Sequence, residues 1–137
     1  MQAYMEIRSG RSVVYNLHVH LVFVTKYRKG VFTDRMLKAL EEIFAHVCED
    51  FEAELVEFNG EDDHVHLLVH YPPKVCLSKL VNSLKGVSSR RLKRQFPEIE
   101  RKLWKGHLWS PSYFAGSCGG APLEVVKQYI ENQQRPQ

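Results

Sequence analysis

Apolar residues along this chain follow two periods, and the switches between them mark out its elements. From Val13 to Thr25 the period is two, with Leu17, Val19, Leu21 and Phe23 on one face and His18, His20, Val22 and Val24 on the other. That pattern predicts a strand buried on both sides. Thr33 and Asp34 then open a helix whose apolar stripe is Met36, Leu37, Leu40, Ile43, Phe44 and Val47. Glu54 to Asn59 alternates weakly as a short strand, and Asn59-Gly60 marks a turn. His64 to Tyr71 alternates strongly until Pro72-Pro73 stops it.

A second helix is striped by Leu77, Leu80, Val81, Leu84 and Leu92, with Gly86 arguing against its continuity. The stretch from Leu108 to Ser117 reads as an irregular edge strand, because Pro111 cannot donate to a ladder. Gly119-Gly120 breaks the chain, and Pro122 suits the first turn of a last helix running to about Gln134. Hairpin-linked strands with segregated helices predict an α+β fold. The order is that of a ferredoxin-like sandwich, one antiparallel sheet with helices packed on it. With no repeat or linker in view, residues 1–137 are read as a single domain.

Composition narrows the class. A chain of 137 residues with 44% hydrophobic and 26% charged content is neither disordered, collagen-like nor a disulfide miniprotein. No apolar run approaches the roughly 18 residues of a membrane helix, and the N-terminal MQAYMEIRSGRS lacks the apolar core of a signal peptide. Cys48, Cys76 and Cys118 are odd in number and widely spaced, which reads as reduced thiols in a cytoplasmic protein. Between Pro72 and Pro97 lie seven basic residues (Lys74, Lys79, Lys85, Arg90, Arg91, Lys93 and Arg94) and no acid. The rest of the chain holds 12 basic against 16 acidic residues, a net of −4. A basic segment on an acidic body is a candidate footprint for a phosphate backbone, although a solvated helix face has the same composition.

The candidate chemistry centres on Asp63-His64-Val65-His66. On a strand, His64 and His66 project to one side with Cα atoms about 6.6 Å apart, close enough for two imidazoles to converge on one metal ion. Two half-buried, hydrogen-bonded histidines would give the same spacing, and His18-Val19-His20 repeats it. In the last helix Tyr129 and Gln133 are four apart and share a face. A tyrosine can attack phosphorus as its phenolate, which a nearby cation favours. Tyr129 could equally fill the core beside Leu123, Val126 and Ile130.

Taken together, HLVFVTKYRKGVF (20–32), DHVHLLV (63–69), SKLVNSLKGVSSRRL (78–92) and LWSPSYFAGSCGGAPLEVVKQYIENQ (108–133) resemble the single-tyrosine HUH transposases of the TnpA type, the IS two-hundred/six-hundred-five insertion-sequence group. The resemblance spans nearly the whole chain in the family's order. It implies that His64 and His66 are metal ligands, Gln133 the third protein ligand and Tyr129 the nucleophile. Mg²⁺ is the implied ion, with Mn²⁺ able to substitute because nitrogen ligands bind it more tightly. It also implies cleavage and rejoining of single-stranded DNA through a 5′-phosphotyrosine, recognition of DNA hairpins at the transposon ends, and a homodimer. In that dimer one subunit's tyrosine helix can complete the partner's histidine pair, with Gly116, Gly119 and Gly120 as the hinge. Lys85, Arg90, Arg91 and Arg94, with Lys26 and Arg28, are the candidate phosphate contacts. A catalytically silent, domesticated hairpin-binding protein is the alternative. A histidine-triad hydrolase is set aside because Leu68 stands where a third alternate histidine would be needed.

Overall fold

The long alternation around His20 becomes a central strand, β3 (His18–Val24), buried along nearly its whole length. It pairs antiparallel with β5 (His64–His70) on one side and β6 (Phe114–Ser117) on the other, and β4 (Glu54–Gly60) adds to β5. The spatial order β4-β5-β3-β6 is that of the ferredoxin-like sandwich. The computed structural model describes residues 8–9, 13–117 and 130–132. The strand expected from Val13 is divided: β2 (Val14–Tyr15) pairs with β1 (Arg8–Ser9) in a separate ladder, and Asn16-Leu17 separates it from β3.

Both long helices cover one face of the sheet. α1 (Asp34–Asp50) starts where expected, with the Thr33 hydroxyl accepting from the Met36 amide at 3.3 Å. This satisfies one of the orphan donors of the first turn, and Asp34 adds favourable charge there. α2 (Leu77–Gln95) is the second helix read from the sequence, and it runs unbroken through Gly86, the residue that argued against its continuity. A glycine costs a helix about 1 kcal/mol relative to alanine. Leu80, Val81, Leu84 and Leu92, all fully buried, outweigh that by anchoring α2 against Val19, Leu21, Phe23, Val65, Leu67 and Val69.

Two irregularities aim the sheet. β4 slips register between Leu55 and Glu57, so Leu55 and Phe58 both face the helices although three positions apart. That bulge is why the alternation looked weak in sequence. The turn expected at Asn59-Gly60 falls just beyond it, at residues 61–63, since Gly60 is still paired with Val65. A Cβ on Gly60 would lie 2.8 Å from Leu37 Cδ2 and 3.2 Å from the His64 carbonyl, so the glycine there answers a close approach of strand and helix.

After α2, Pro97–Lys102 and Trp104–Gly106 form 3₁₀ turns that the apolar pattern did not indicate. The irregular edge strand follows as expected. Trp109 bridges to Thr25, the ladder is interrupted around Pro111, and β6 then pairs with Val19 to Val22. Trp109 Nε1 donates to Ser88 Oγ at 2.9 Å and ties this segment to α2.

Candidate functional site

The face of the sheet away from the helices carries the histidines. Register places His18 opposite His70, His20 opposite Leu68, Val22 opposite His66 and Val24 opposite His64. Directly opposed residues share a face, so His18, His20, His64, His66 and His70 line one side. His18 and His70 stack at 4.3 Å between ring centroids, with the Tyr15 ring 5.3 Å from His70. Two of the predicted metal ligands, His64 and His66, are brought together with ring centroids 5.1 Å apart and planes at 78°.

Each of these two rings is held by a partner at Nδ1. His64 Nδ1 lies 2.8 Å from Asp63 Oδ1, so the imidazole donates to the carboxylate and keeps its Nε2 lone pair for a ligand. Asp63 also accepts from Arg28 Nε at 3.1 Å. Burial by itself would raise the Asp63 pKa. The hydrogen bonds from His64 and Arg28 outweigh it, and the carboxyl sits below its ordinary range. His66 Nδ1 lies 3.2 Å from His20 Nε2. Burial first, then the neighbouring His64 and His20, push His66 down to about 4. Burial likewise lowers His20, against a partial opposing pull from Glu57. A neutral imidazole with its Nδ1–H engaged is the form that binds a metal through Nε2.

The donor chemistry therefore fits a divalent ion at His64 and His66, with Asp63 and His20 as orienting partners. Among the described residues no set of three or more histidine, cysteine or carboxylate side chains is grouped for a metal. A third protein ligand has to come from another residue type or from outside those residues. Tyr129 and Gln133 both lie outside them. Ile130, between the two in sequence, is buried against Val22 and Val24, the cross-strand partners of His66 and His64. Gly116 sits within β6 opposite His20, in the sheet and not in a loop, and Gly119 and Gly120 lie outside the described residues.

The candidate phosphate contacts divide. Arg90 and Arg94 are exposed on α2 and Arg91 is half-buried, all on the helix-covered side of the molecule and away from the histidines. Lys85 is engaged: its ammonium donates to the Ser110 carbonyl at 2.6 Å and the Ser112 carbonyl at 3.3 Å. Burial lowers its pKa, and its place against the β6 approach gives it a structural task. Arg28 is committed to Asp63, and Lys26 lies over the rings of Tyr27 and Trp104.

Sequence reasoning missed Asp63 and His20 as partners of the histidine pair. Asp63 was visible as an acid next to a histidine, but neighbours on a strand point to opposite faces. Its carboxylate reaches His64 because Asp63 precedes β5 and belongs to the turn. His20 was visible only as half of a competing histidine pair, since its contact with His66 depends on the β3–β5 register.

The family described as IS200-like transposases matches residues 13–133. The ISDra2 transposase TnpA of Deinococcus radiodurans is 33% identical over 129 residues, covering 94% of this chain and 92% of that protein. The transposase for insertion sequence element IS200 of Salmonella typhimurium is 30% identical over 119 residues, covering 87% and 78%. A crystal structure of a candidate transposase from Deinococcus radiodurans superposes with a TM-score of 0.84 at 35% identity, covering 94% of this chain and 99% of that one. A REP-associated tyrosine transposase solved with a REP hairpin shares the fold alone, with a TM-score of 0.55 at 11% identity over 90% of this chain and 68% of that one. A match that runs from before β3 to beyond Asn132 takes in the whole sheet and both histidine-bearing strands, and the chain belongs to the IS200-like transposase family.

Proposed function

We propose that this transposase cuts and rejoins single-stranded DNA at insertion-sequence ends through a 5′-phosphotyrosine on Tyr129, using a divalent ion at His64 and His66. The observation that carries the reading is the histidine pair itself, with both Nδ1 atoms engaged and both Nε2 atoms left for a ligand. Supporting it, Ile130, next to Tyr129 in sequence, packs against Val22 and Val24, the β3 partners of His66 and His64. Mg²⁺, or Mn²⁺ in its place, would be held by His64, His66 and Gln133 and would draw charge from the scissile phosphate oxygens. Asp63 keeps the His64 ring oriented, and His20 does the same for His66.

In the reaction the Tyr129 oxygen attacks phosphorus and loses its proton. A P–O bond to tyrosine forms, and the bond to the 3′ oxygen breaks and leaves a 3′-hydroxyl. A 3′-hydroxyl of another strand then attacks the phosphotyrosine, restoring the phenol. Bond energy is conserved at each step, so no hydrolysis is needed, and in-line positioning supplies much of the rate. Hairpin recognition is drawn from the fold relative solved with a REP hairpin and from the exposed Arg90 and Arg94. A homodimer, with the tyrosine helix exchanged between subunits, completes the proposal. The alternative is a hairpin-binding protein without chemistry, for which the ordered Asp63–His64 and His20–His66 contacts would have no task.

The test is adduct formation on single-stranded DNA spanning an element end, with Mg²⁺ or Mn²⁺, beside Tyr129→Phe on a denaturing gel. A metal-dependent adduct on one strand, absent from Tyr129→Phe, is expected. Hairpin binding with no adduct under either ion would establish the alternative.

A further inference from the structure

Where β3 leaves the sheet, a cleft of about 700 Å³ opens between the loop Lys26 to Gly30 and the segment Lys102 to Leu108. It lies at the His64 end of the sheet, because Val24 pairs with His64 and the Thr25 amide donates to the Asp63 carbonyl at 2.9 Å. Lys26, Arg28, Lys29 and Lys102 line it against one acid, Asp62. Trp104, also in the lining, is 48% exposed; among the described residues the other large exposed apolar side chains are Val13 and Val14. An indole held in water beside cations is an unusual use of a large apolar side chain.

The ring is built into place. Tyr27 meets it edge-on at 5.7 Å and His107 lies at 5.9 Å, nearly parallel at 30°. Lys105 and Lys26 sit 4.8 and 5.9 Å from its centroid. The two facing loops also hold three of the four described non-glycine residues with positive φ: Tyr27 at 59°, Arg28 at 53° and Lys105 at 52°. Left-handed backbone at such residues is costly and gathers at sites of function. The cleft is linked to His64 through Asp63, since Arg28 in the lining bonds one oxygen of that carboxylate and His64 bonds the other.

We propose that this cleft binds one unpaired base of the DNA strand, stacked on Trp104, with Lys26, Lys102 and Lys105 taking the flanking phosphates. Aromatic platforms edged by cations hold single strands because every base has a π-face and every linkage a charge. A paired base has both its faces covered, so the cleft selects unpaired DNA. Through Arg28 and Asp63 the occupied cleft sets the strand's position relative to His64. The inference rests on the strand-transfer reading above and adds a base-binding subsite to it.

The test measures binding of a labelled oligothymidylate by the full-length protein at fixed salt, for wild type, Trp104→Ala and Trp104→Phe. The same strand with abasic residues in place of the bases, a matched duplex and free thymidine monophosphate serve as comparisons. Trp104→Ala should weaken oligothymidylate binding by roughly ten- to a hundredfold, and Trp104→Phe should restore most of it. On the abasic strand wild type and Trp104→Ala should bind alike, and the salt slope should be unchanged because the phosphate contacts remain. Equal binding of oligothymidylate by wild type and Trp104→Ala would overturn the inference. So would an equal loss on the abasic strand, duplex binding as sensitive to Trp104 as single-strand binding, or monophosphate binding as tight as the strand. Each of those leaves strand transfer standing, whereas wild type that binds no single strand at all would sink both.

Discussion

The two faces of β3 and β5 are built from the same strands and have opposite characters. Facing the helices, Val19, Leu21 and Phe23 lie across from Val69, Leu67 and Val65, all buried in one apolar cluster. Facing away, the alternate positions hold five histidines, with Val22 and Val24 as a small apolar patch beside Ile130. Because a strand turns successive side chains to opposite sides, a single stretch of seven residues can serve as core and as site at once. The helix face supplies the stability that lets the other face carry desolvated imidazoles, which in isolation favour unfolding to reach water.

If that division holds, damage to each face should have a different signature. The largest effect is expected from His66→Ala. Loss of one proposed metal-ligand position should cut adduct formation about a thousandfold while moving the urea unfolding free energy by no more than about 1 kcal/mol. A collapse of both would show the faces to be inseparable. Phe44→Ala does the reverse. Phe44 is fully buried against Phe23, Phe58 and Trp109. Its truncation should destabilise by about 3–5 kcal/mol, with adduct yield per folded molecule unchanged well below the unfolding midpoint.

Asp63→Asn probes the link between the faces' shared turn and the histidine pair. It should raise the metal concentration for half-maximal adduct formation by about ten- to a hundredfold, and adding metal should restore the yield. Thr33→Ala, at the start of α1, should cost about 1 kcal/mol through the lost cap and leave metal dependence untouched. Thiol chemistry gives the smallest signal. Burial, with Glu49 nearby, pushes the Cys48 thiol up to about 12. The exposed Cys76 thiol is lowered by its Ser78 hydrogen bond. Mass mapping after mild alkylation at neutral pH should find Cys76 modified and Cys48 intact until the helix face unfolds.

Much of this was legible in the chain. The period-two and helical stripes located β3, α1, β5 and α2, since those patterns follow from burial on one or two sides. Thr33 was read as the start of α1 because its hydroxyl can accept from a first-turn amide. The bulge in β4 and the continuity of α2 through Gly86 were not legible, because neighbouring packing decided both. Among the described residues no helix is long and apolar enough to cross a membrane, in line with the absence of a long apolar run.

The sequence by itself determined which residues alternate, where helices begin, and that two histidines would share one face of a strand. These are consequences of local geometry and of the cost of exposing apolar side chains. The tertiary structure alone decided that His20 would meet His66, that Asp63 would stand between His64 and Arg28, and that Trp104 would border the same end of the sheet as His64. Apart from the bond between the neighbours Asp63 and His64, those are contacts between residues far apart in the chain. They depend on strand register and on where loops land, and register is set by the whole core at once.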